Sequence, residues 1–432
     1  MSDQGGKAGR AGVAPRLYDL LVHLFGIDPP VRLVGWDGSM AGTADGPTVH
    51  VLSRRAVRRL LWAPGELGLA RAYVAGELDI EGDLVAGLRA LAEYGALVGA
   101  KPSLSAADRR EVLRTAVLLG AVGPAPKPPA GEQLLAGTGQ RGPSQRGPSQ
   151  RGARETAATE LPSDGLELME HVLGDTLAYS GARWAGADTL DEAQRRKLDL
   201  LCDRLELQPG TRLLDVGCGW GPLLLHAVRD RGVEAVGMVR SADRADVVRD
   251  RLAAAGLADR TDVRLGAAQA VDDGPYDAIA AIESAEDVDE ANLPAVFGHV
   301  QQLLRPGGRF VLNALTSQPG GGTAGPTFMS EYVMPQGLLP PVGVLVRALE
   351  EAGLEVRLVE SWREHHARTM ATWLRRLDAE SGRAEAALGP NRLRVWRLSL
   401  ALATVGFERG RIGLHNVVAV RPHADGRSGM LA

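Results

Sequence analysis

At 432 residues the chain is too long for one ordinary core, and two or three units are expected. Hydrophobic residues make up 45% and charged residues 24%, the profile of a soluble globular protein, and a net charge of −4 gives no basic field for nucleic acid. Cys202 and Cys218 fit neither a metal-ligand spacing nor a disulfide framework, residues 1–15 lack the apolar core of an export signal, and no run approaches ~20 apolar residues; the expectation is a cytoplasmic protein without a metal.

A smaller α+β unit is expected over residues 15–120. Tyr18–Phe25 reads as a helix, and Val31–Val34 and Thr48–Leu52 alternate as strands, separated by the turn signals Asp37-Gly38 and Asp45-Gly46 in the manner of hairpins. Helical periodicity then runs from Ser53 to Ala92. Residues 121–160 read as a disordered linker: four prolines between Pro124 and Pro129 precede a tandem Gln-Arg-Gly-Pro-Ser repeat from Gln140 to Gly152, a composition unable to offset its ordering entropy. A plain spacer is favoured there over an Arg-rich tether for anionic surfaces.

Over 161–422 strands and helices alternate, the pattern of a doubly wound α/β, Rossmann-like sheet with helical additions. Strands are expected at Leu213–Val216, Glu234–Val239, Asp262–Leu265, Tyr276–Ile282 and Arg309–Asn313, the last after an Arg305-Pro306-Gly307-Gly308 turn. Helices fall between them, and from Met329 the chain reads as largely helical until a closing strand, Gly413–Val420. The first strand of this sheet ends in Asp215 and enters Gly217-Cys218-Gly219-Trp220-Gly221 before a helix. Glycines let a backbone turn tightly and approach a ligand, and the carboxyl ends of such strands are where doubly wound sheets bind nucleosides. Helix N-terminal amides then face a ligand carboxylate, and Asp215 is placed to accept from its ammonium. A lone Gly-x-Gly is weak, but the Gly-x-Gly-x-Gly spacing and the later Arg-Pro-Gly-Gly turn together point to an S-adenosylmethionine-dependent methyltransferase.

Four separated segments carry a more specific resemblance. They are Leu177-Ala-Tyr-Ser-Gly-Ala-Arg-Trp184 with Leu190-Asp-Glu-Ala-Gln194, Lys197 and the loop; Tyr332–Pro340; His366-Ala-Arg-Thr-Met-Ala-Thr-Trp373; and Leu60–Asp79. In their order along the chain they resemble the cyclopropane-fatty-acyl-phospholipid synthase family, which includes the mycolic acid cyclopropane synthases, and Leu60–Asp79 resembles the extra domain of its long bacterial members. The resemblance implies attack by a cis double bond of an acyl chain on a sulfonium methyl, then proton loss to give a cyclopropane or a methylene branch. It implies a cofactor site that includes Tyr179, Ser180, Asp215, Gly217, Cys218, Gly219, Trp220 and Gly221, and an unsaturated acyl lipid as partner. It also implies a bicarbonate base held by Cys, Glu, His and Tyr.

Position by position, that cage is largely replaced. The Cys is Gly181, the His is Asn313 and the Tyr is His366; only the Glu remains, as Glu283, with Ser284 after it. Bicarbonate is thus left without most of its ligands, and Glu283 with His366 are the candidate proton acceptors. The ribose-contacting stretch reads Val239-Arg-Ser-Ala-Asp-Arg244, so Asp243 or Arg244 would have to serve, and Gly266–Gln269 lacks the usual aromatic. Three readings stay open: methylation of an unsaturated acyl chain, a catalytically weak or inactive paralogue acting as partner subunit or lipid-binding protein, and methylation of another small apolar substrate. His365 and His366 lack a third metal ligand. An excess of ten Arg over five acidic residues from Trp362 to Arg411 would suit peripheral contact with the inner face of a membrane, against the plain alternative of a solvated helical face. A homodimer or a heteromeric partner is a further expectation of the resemblance.

Overall fold

The computed structural model describes residues 12–98, 104–129, 166–285, 288–319, 327–333 and 339–429; the expected linker lies outside the described residues from 130 onward. The chain gathers into two compact units, one of Met1–Glu160, Thr323–Pro335 and Gly382–Val405, the other of Leu161–Gly322, Gln336–Ser381 and Gly406–Ala432.

The first unit runs α1 (Val13–Phe25), β1 (Arg32–Gly35), β2 (Met40–Gly42), β3 (Thr48–Val51), α2 (Arg54–Trp62), α3 (Glu66–Val74), β4 (Leu78–Glu81), α4 (Leu84–Val98) and α5 (Ala106–Leu118). Its sheet has the order β2-β1-β3-β4. The Asp37-Gly38 turn closes the β1–β2 hairpin, but β3 pairs parallel to β1, so the Asp45-Gly46 turn makes no hairpin. With β2 on one edge of β1, the returning chain lies along the other edge. The expected unbroken helical run from Ser53 to Ala92 is interrupted by β4, whose Leu78 and Ile80 face inward and which pairs antiparallel with β3. Four residues of alternation are too few to stand out between two helices. The buried Arg59 guanidinium meets Glu77 through two hydrogen bonds of 2.7 and 3.1 Å, pinning α2 to the entry of β4.

The second unit contains α6 (Leu166–Leu173), α7 (Leu190–Arg204), β5 (Arg212–Val216), α8 (Pro222–Arg231), β6 (Glu234–Val239), α9 (Ala242–Ala254), β7 (Thr261–Leu265), β8 (Tyr276–Ile282), α10 (Leu293–Leu303), β9 (Leu304–Ser317), α11 (Val342–Glu351), β10 (Glu355–Ser361), α12 (Arg363–Ala379) and β11 (Ile412–Val420). Helices α13 (Ser381–Leu388) and α14 (Pro390–Glu408) carry the chain between α12 and β11. The seven-stranded sheet has the order β10-β11-β9-β8-β5-β6-β7, parallel except that β11 runs antiparallel to both neighbours. The central strands are apolar almost throughout because both faces are covered. On one face Leu214, Ile279, Phe310 and Leu312 pack with Phe297 and Leu345.

Two expectations change here. The strand expected at Arg309–Asn313 runs from Leu304 to Ser317, and Arg305–Gly308 is a bulge within it: the register against β8 jumps from Tyr276↔Leu304 to Ala278↔Arg309. Gly307 donates to the Arg421 carbonyl at 2.7 Å, and the Arg421 N–H to Gly308 at 3.0 Å, tying the bulge to the end of β11. The second is β10, inside a stretch expected to be helical. It is an edge strand whose charged residues alternate with half-exposed Leu358 and Val359, so it lacks an apolar periodicity. No helix among the described residues is long and apolar enough to cross a membrane.

Candidate active site

The glycine loop follows β5. Leu214 points into the core, so by strand alternation Asp215 faces the opposite side, toward α7. Gly217, Gly219 and Gly221 have φ of 77°, 58° and 80°, backbone that side chains other than glycine rarely adopt. A Cβ at Gly217 would come within 2.5 Å of Ser284 Cβ, whereas one at Gly219 would meet nothing within 4 Å, so the loop is open on that side. Cys218 N–H donates to the Met238 carbonyl at 2.9 Å and Gly221 N–H to the Cys218 carbonyl at 2.8 Å, which sets the turn before α8. Gly221 caps α8, so the first amides of that helix are presented at the loop. Trp220 is buried beneath the Arg244 guanidinium, 4.9 Å from the ring centre. Burial raises the Cys218 thiol far above its ordinary range, which keeps it protonated. An open cradle of left-handed glycines over a buried carboxylate, beside a helix N-terminus, fits the amino-acid end of S-adenosylmethionine.

A strap from Leu177 to Trp184 lies beside the loop. Its entry is strained, with Leu177 at φ 53°. The Gln194 amide donates to the Ser180 carbonyl at 2.9 Å, and Lys197 Nζ donates to Ser180 Oγ at 2.6 Å. Gly181 N–H donates to Glu283 Oε1 at 2.7 Å, and Ala182 N–H to Thr369 Oγ1 at 3.1 Å. Tyr179 stacks on Trp373 with ring centres 5.3 Å apart. Sequence reasoning gave Gln194, Lys197 and Thr369 no role. The available signal was the Gln194/Lys197 pair, three residues apart on the apolar side of α7, where a lysine 1% exposed needs a reason.

Glu283 follows β8 directly and sits at φ 50°, held by its own N–H donating to the Asn313 carbonyl at 2.8 Å. Burial pushes its carboxyl up to about 7, opposed by the Gly181 N–H and by the Lys197 charge. Burial likewise raises Asp215 to about 7 against the pull of Lys197, and lowers Lys197 to about 8 against the pull of both carboxylates. His366 Nε2 lies 3.6 Å from Glu283 Oε2. The ring is fully buried, packed edge-on against Phe407 at 4.5 Å, and burial drives it down to about 3, so it is neutral. Glu283 and His366 are thus brought together.

The remaining cage positions are rebuilt. A Cβ at Gly181 would come within 2.7 Å of His366 Nδ1 and 2.6 Å of Leu414 Cδ2, so the imidazole and Leu414 fill the space a larger side chain would use. Asn313 accepts through Oδ1 from the Asn416 amide, while its own Nδ2 and both His366 nitrogens have no hydrogen-bond partner. With that volume filled, the residues do not reproduce a bicarbonate cage, and no step is derived through that ion. Asp243 is exposed on α9, and His365 is taken up by Trp184 N–H at 3.1 Å and Arg183 at 2.6 Å.

The sheet order, the glycine cradle after its first strand and the buried acid beside it define a methyltransferase that uses S-adenosylmethionine. Residues 163–417 match the family described as mycolic acid cyclopropane synthetase. The chain is 31% identical over 406 residues to a Pseudomonas putida protein named "Probable fatty acid methyltransferase", covering 92% of this chain and 93% of that one. It is 29% identical over 215 residues to the cyclopropane-fatty-acyl-phospholipid synthase of Escherichia coli K12, covering 49% and 54%. Among solved structures, the mycolic acid cyclopropane synthase CmaA1 in complex with SAH and CTAB is 27% identical with a TM-score of 0.57, covering 61% of this chain and 96% of that one. The cyclopropane synthase MmaA2 of Mycobacterium tuberculosis, at 24% identity and a TM-score of 0.58, shares the fold. The chain belongs to the mycolic acid cyclopropane synthetase family and is an S-adenosylmethionine-dependent methyltransferase.

Proposed function

We propose that the enzyme methylates the cis double bond of an unsaturated fatty acyl chain and that Glu283 takes up the proton released. Residues 161–422 carry the chemistry, with 15–120 as an accessory domain joined through the 121–160 linker. Asp215, the loop Gly217-Cys218-Gly219-Trp220-Gly221, Tyr179 and Ser180 hold the methyl donor. When bound, the donor offers an electrophilic methyl group: the alkene π pair forms the new C–C bond and the pair of the broken C–S bond stays on sulfur. The added methyl group, beside the substrate carbon left cationic, loses a proton to Glu283, and the released C–H pair closes a cyclopropane ring onto that carbon, or, where a hydride first shifts from the methylated carbon to the cationic one, forms a methylene double bond. A cation of this kind needs a dry site and an ionised acceptor. Glu283, buried, backbone-strained and titrating at about 7, is the single observation that carries the reading. His366, 3.6 Å away, is neutral and forms no ion pair with that carboxylate. An intact cradle beside a poised carboxylate also weighs against an inactive paralogue.

Lipid mass spectrometry of cells with oleoyl phospholipids tests this. Expression of the protein is expected to add one CH2 unit to oleoyl chains, and Glu283→Gln to lower that yield at least ~100-fold, the scale of a lost general base. Unchanged yield in the variant would refute the assignment.

Such an enzyme draws its acyl chains from a lipid surface. Much of the Arg excess from Trp362 to Arg411 is engaged internally: Arg376 pairs with Asp191, Arg394 with Asp79, and Arg368 lies over Trp184. A better membrane face is on the first unit. There α5 exposes Leu113, Val117 and Leu118, and Val122 and Trp62 are exposed beyond its end. Trp62 and Arg58 of α2 bond to the carbonyls of Gly123 and Ala121, which joins the two helices along this edge. Exposed Arg54, Arg109 and Arg110 flank it, a charge complement to an anionic bilayer, while Arg55 and Arg114 pair with Glu77 and Glu111.

A further inference from the structure

We infer that Lys197 is a positioning residue that serves Asp215 and Glu283 as a shared counter-charge, so that the protonation of Glu283 follows the charge of the bound cofactor. The inference rests on the reading of Glu283 as the proton acceptor and adds to it a coupling with the donor site.

The geometry comes from the strap. Consecutive residues hold opposite ends of the cluster: Ser180 Oγ accepts from Lys197 Nζ at 2.6 Å, and Gly181 N–H donates to Glu283 Oε1 at 2.7 Å. The cation and the carboxylate are therefore anchored to consecutive residues of the strap, one from α7 and the other from the end of β8. Asp215, from the end of β5, is the second carboxylate on which Lys197 acts. Lys197 is 1% and Asp215 2% exposed, and the Glu283 side chain 10%, so water neutralises none of them.

Other titratable groups around the cluster leave its charge unchanged. His366 on α12 is neutral, pressed down by burial and by Lys197 itself. The phenol of Tyr179 and the buried thiol of Cys218 are both held well above their ordinary values and stay protonated. Arg244 on α9 acts on those last two, whereas Lys197 is the charge acting on both Asp215 and Glu283. With both acids ionised, the cluster has one negative charge in excess.

S-adenosylmethionine carries one net positive charge, from its sulfonium and ammonium against its carboxylate; S-adenosylhomocysteine carries none. A buried site favours neutrality, because charge left unmatched at low dielectric is costly. With the cationic cofactor both acids ionise and the cluster and cofactor together are neutral, the Arg244 charge being the same with either cofactor. With the neutral one, neutrality needs one proton, and Glu283 is the group placed to hold it. In turnover that proton is the one taken from the substrate cation, so the site stays neutral before and after the reaction. Glu283 is thus armed as a base by arrival of the donor and is reset when the neutral product leaves and the next donor enters.

Isothermal titration of the full-length protein at pH 7, in two buffers of different ionisation enthalpy, tests this without turnover. S-adenosylmethionine is expected to release between about half a proton and one proton more than S-adenosylhomocysteine. Glu283→Gln is expected to abolish that difference. Lys197→Met is expected to move the pH at which the difference is largest to the alkaline side by about one unit or more, and Lys197→Arg to leave it near the parental value. Equal proton counts for the two ligands, or a difference that persists in Glu283→Gln, overturn the inference. If the proton difference is present and lost in Glu283→Gln while lipid methylation survives in that variant, the coupling stands and the base assignment falls. If Lys197→Met does not fold, the parental and Glu283→Gln titrations still decide the coupling, and Lys197→Gln takes its place in deciding the part of Lys197.

Discussion

Replacing Gly181 by alanine tests the claim that the strap and His366 have been refitted to each other. Gly181 is not in the left-handed region, so the backbone accepts alanine and the cost is steric. The new methyl would lie 2.7 Å from His366 Nδ1 and 2.6 Å from Leu414 Cδ2. Ordinary contact is ~3.5–4.0 Å, so both neighbours must give by about 1 Å. His366 and Leu414 are each 0% exposed, on α12 and β11, and have no solvent to move into. Overpacking of this kind costs roughly 1–3 kcal/mol, and the stiffer unfolded chain returns ~0.4–1 kcal/mol. The net expectation is a loss of about 1–2 kcal/mol, or a Tm about 2–8 °C lower for a unit of this size. Urea unfolding and calorimetry measure it. In a His366→Ala background the same alanine should cost at least ~1 kcal/mol less, because the ring it strikes is gone. A Gly181→Ala protein as stable as its parent, or a cost undiminished in the double variant, would refute the reasoning.

Two further outcomes follow from the geometry. Gly217→Ala forces a side chain into φ 77° and against Ser284 at 2.5 Å, so S-adenosylhomocysteine affinity by calorimetry is expected to fall at least ~10-fold, the equivalent of ~1.4 kcal/mol, with little change in far-UV circular dichroism. Unaltered affinity would remove the loop from the cofactor site. Replacing Leu113, Val117 and Leu118 together by serine is expected to reduce co-sedimentation with phosphatidylglycerol vesicles several-fold while leaving S-adenosylhomocysteine binding intact; unchanged sedimentation would place the lipid contact elsewhere.

Local sequence specified the parts of the site whose chemistry is local. A strand of buried aliphatics ending in Asp215, then three glycines and a helix, leaves little freedom, because only glycine takes the φ values that the turn demands. The alternation of strands and helices from 212 to 304 was legible because short apolar runs recur between helices and turn residues. The first unit's β4 and the sheet's β10 were not legible, since a four-residue strand and a charged edge strand have no period of their own and exist only through their pairing partners.

Tertiary structure decided what the sequence left open about Glu283, His366 and Lys197. Their separations along the chain, 283 against 366 and 197, carry no information on distance. Only packing brings a neutral imidazole to 3.6 Å from a carboxylate and places a lysine against a strap that the same carboxylate holds. Proton affinity belongs to that assembly: Asp215, Lys197 and Glu283 would titrate at ordinary values in an open chain, and burial together in one cluster moves all three toward neutral pH. The glycine loop was written in the sequence, whereas the acid–base state of the groups beneath it exists only in the fold.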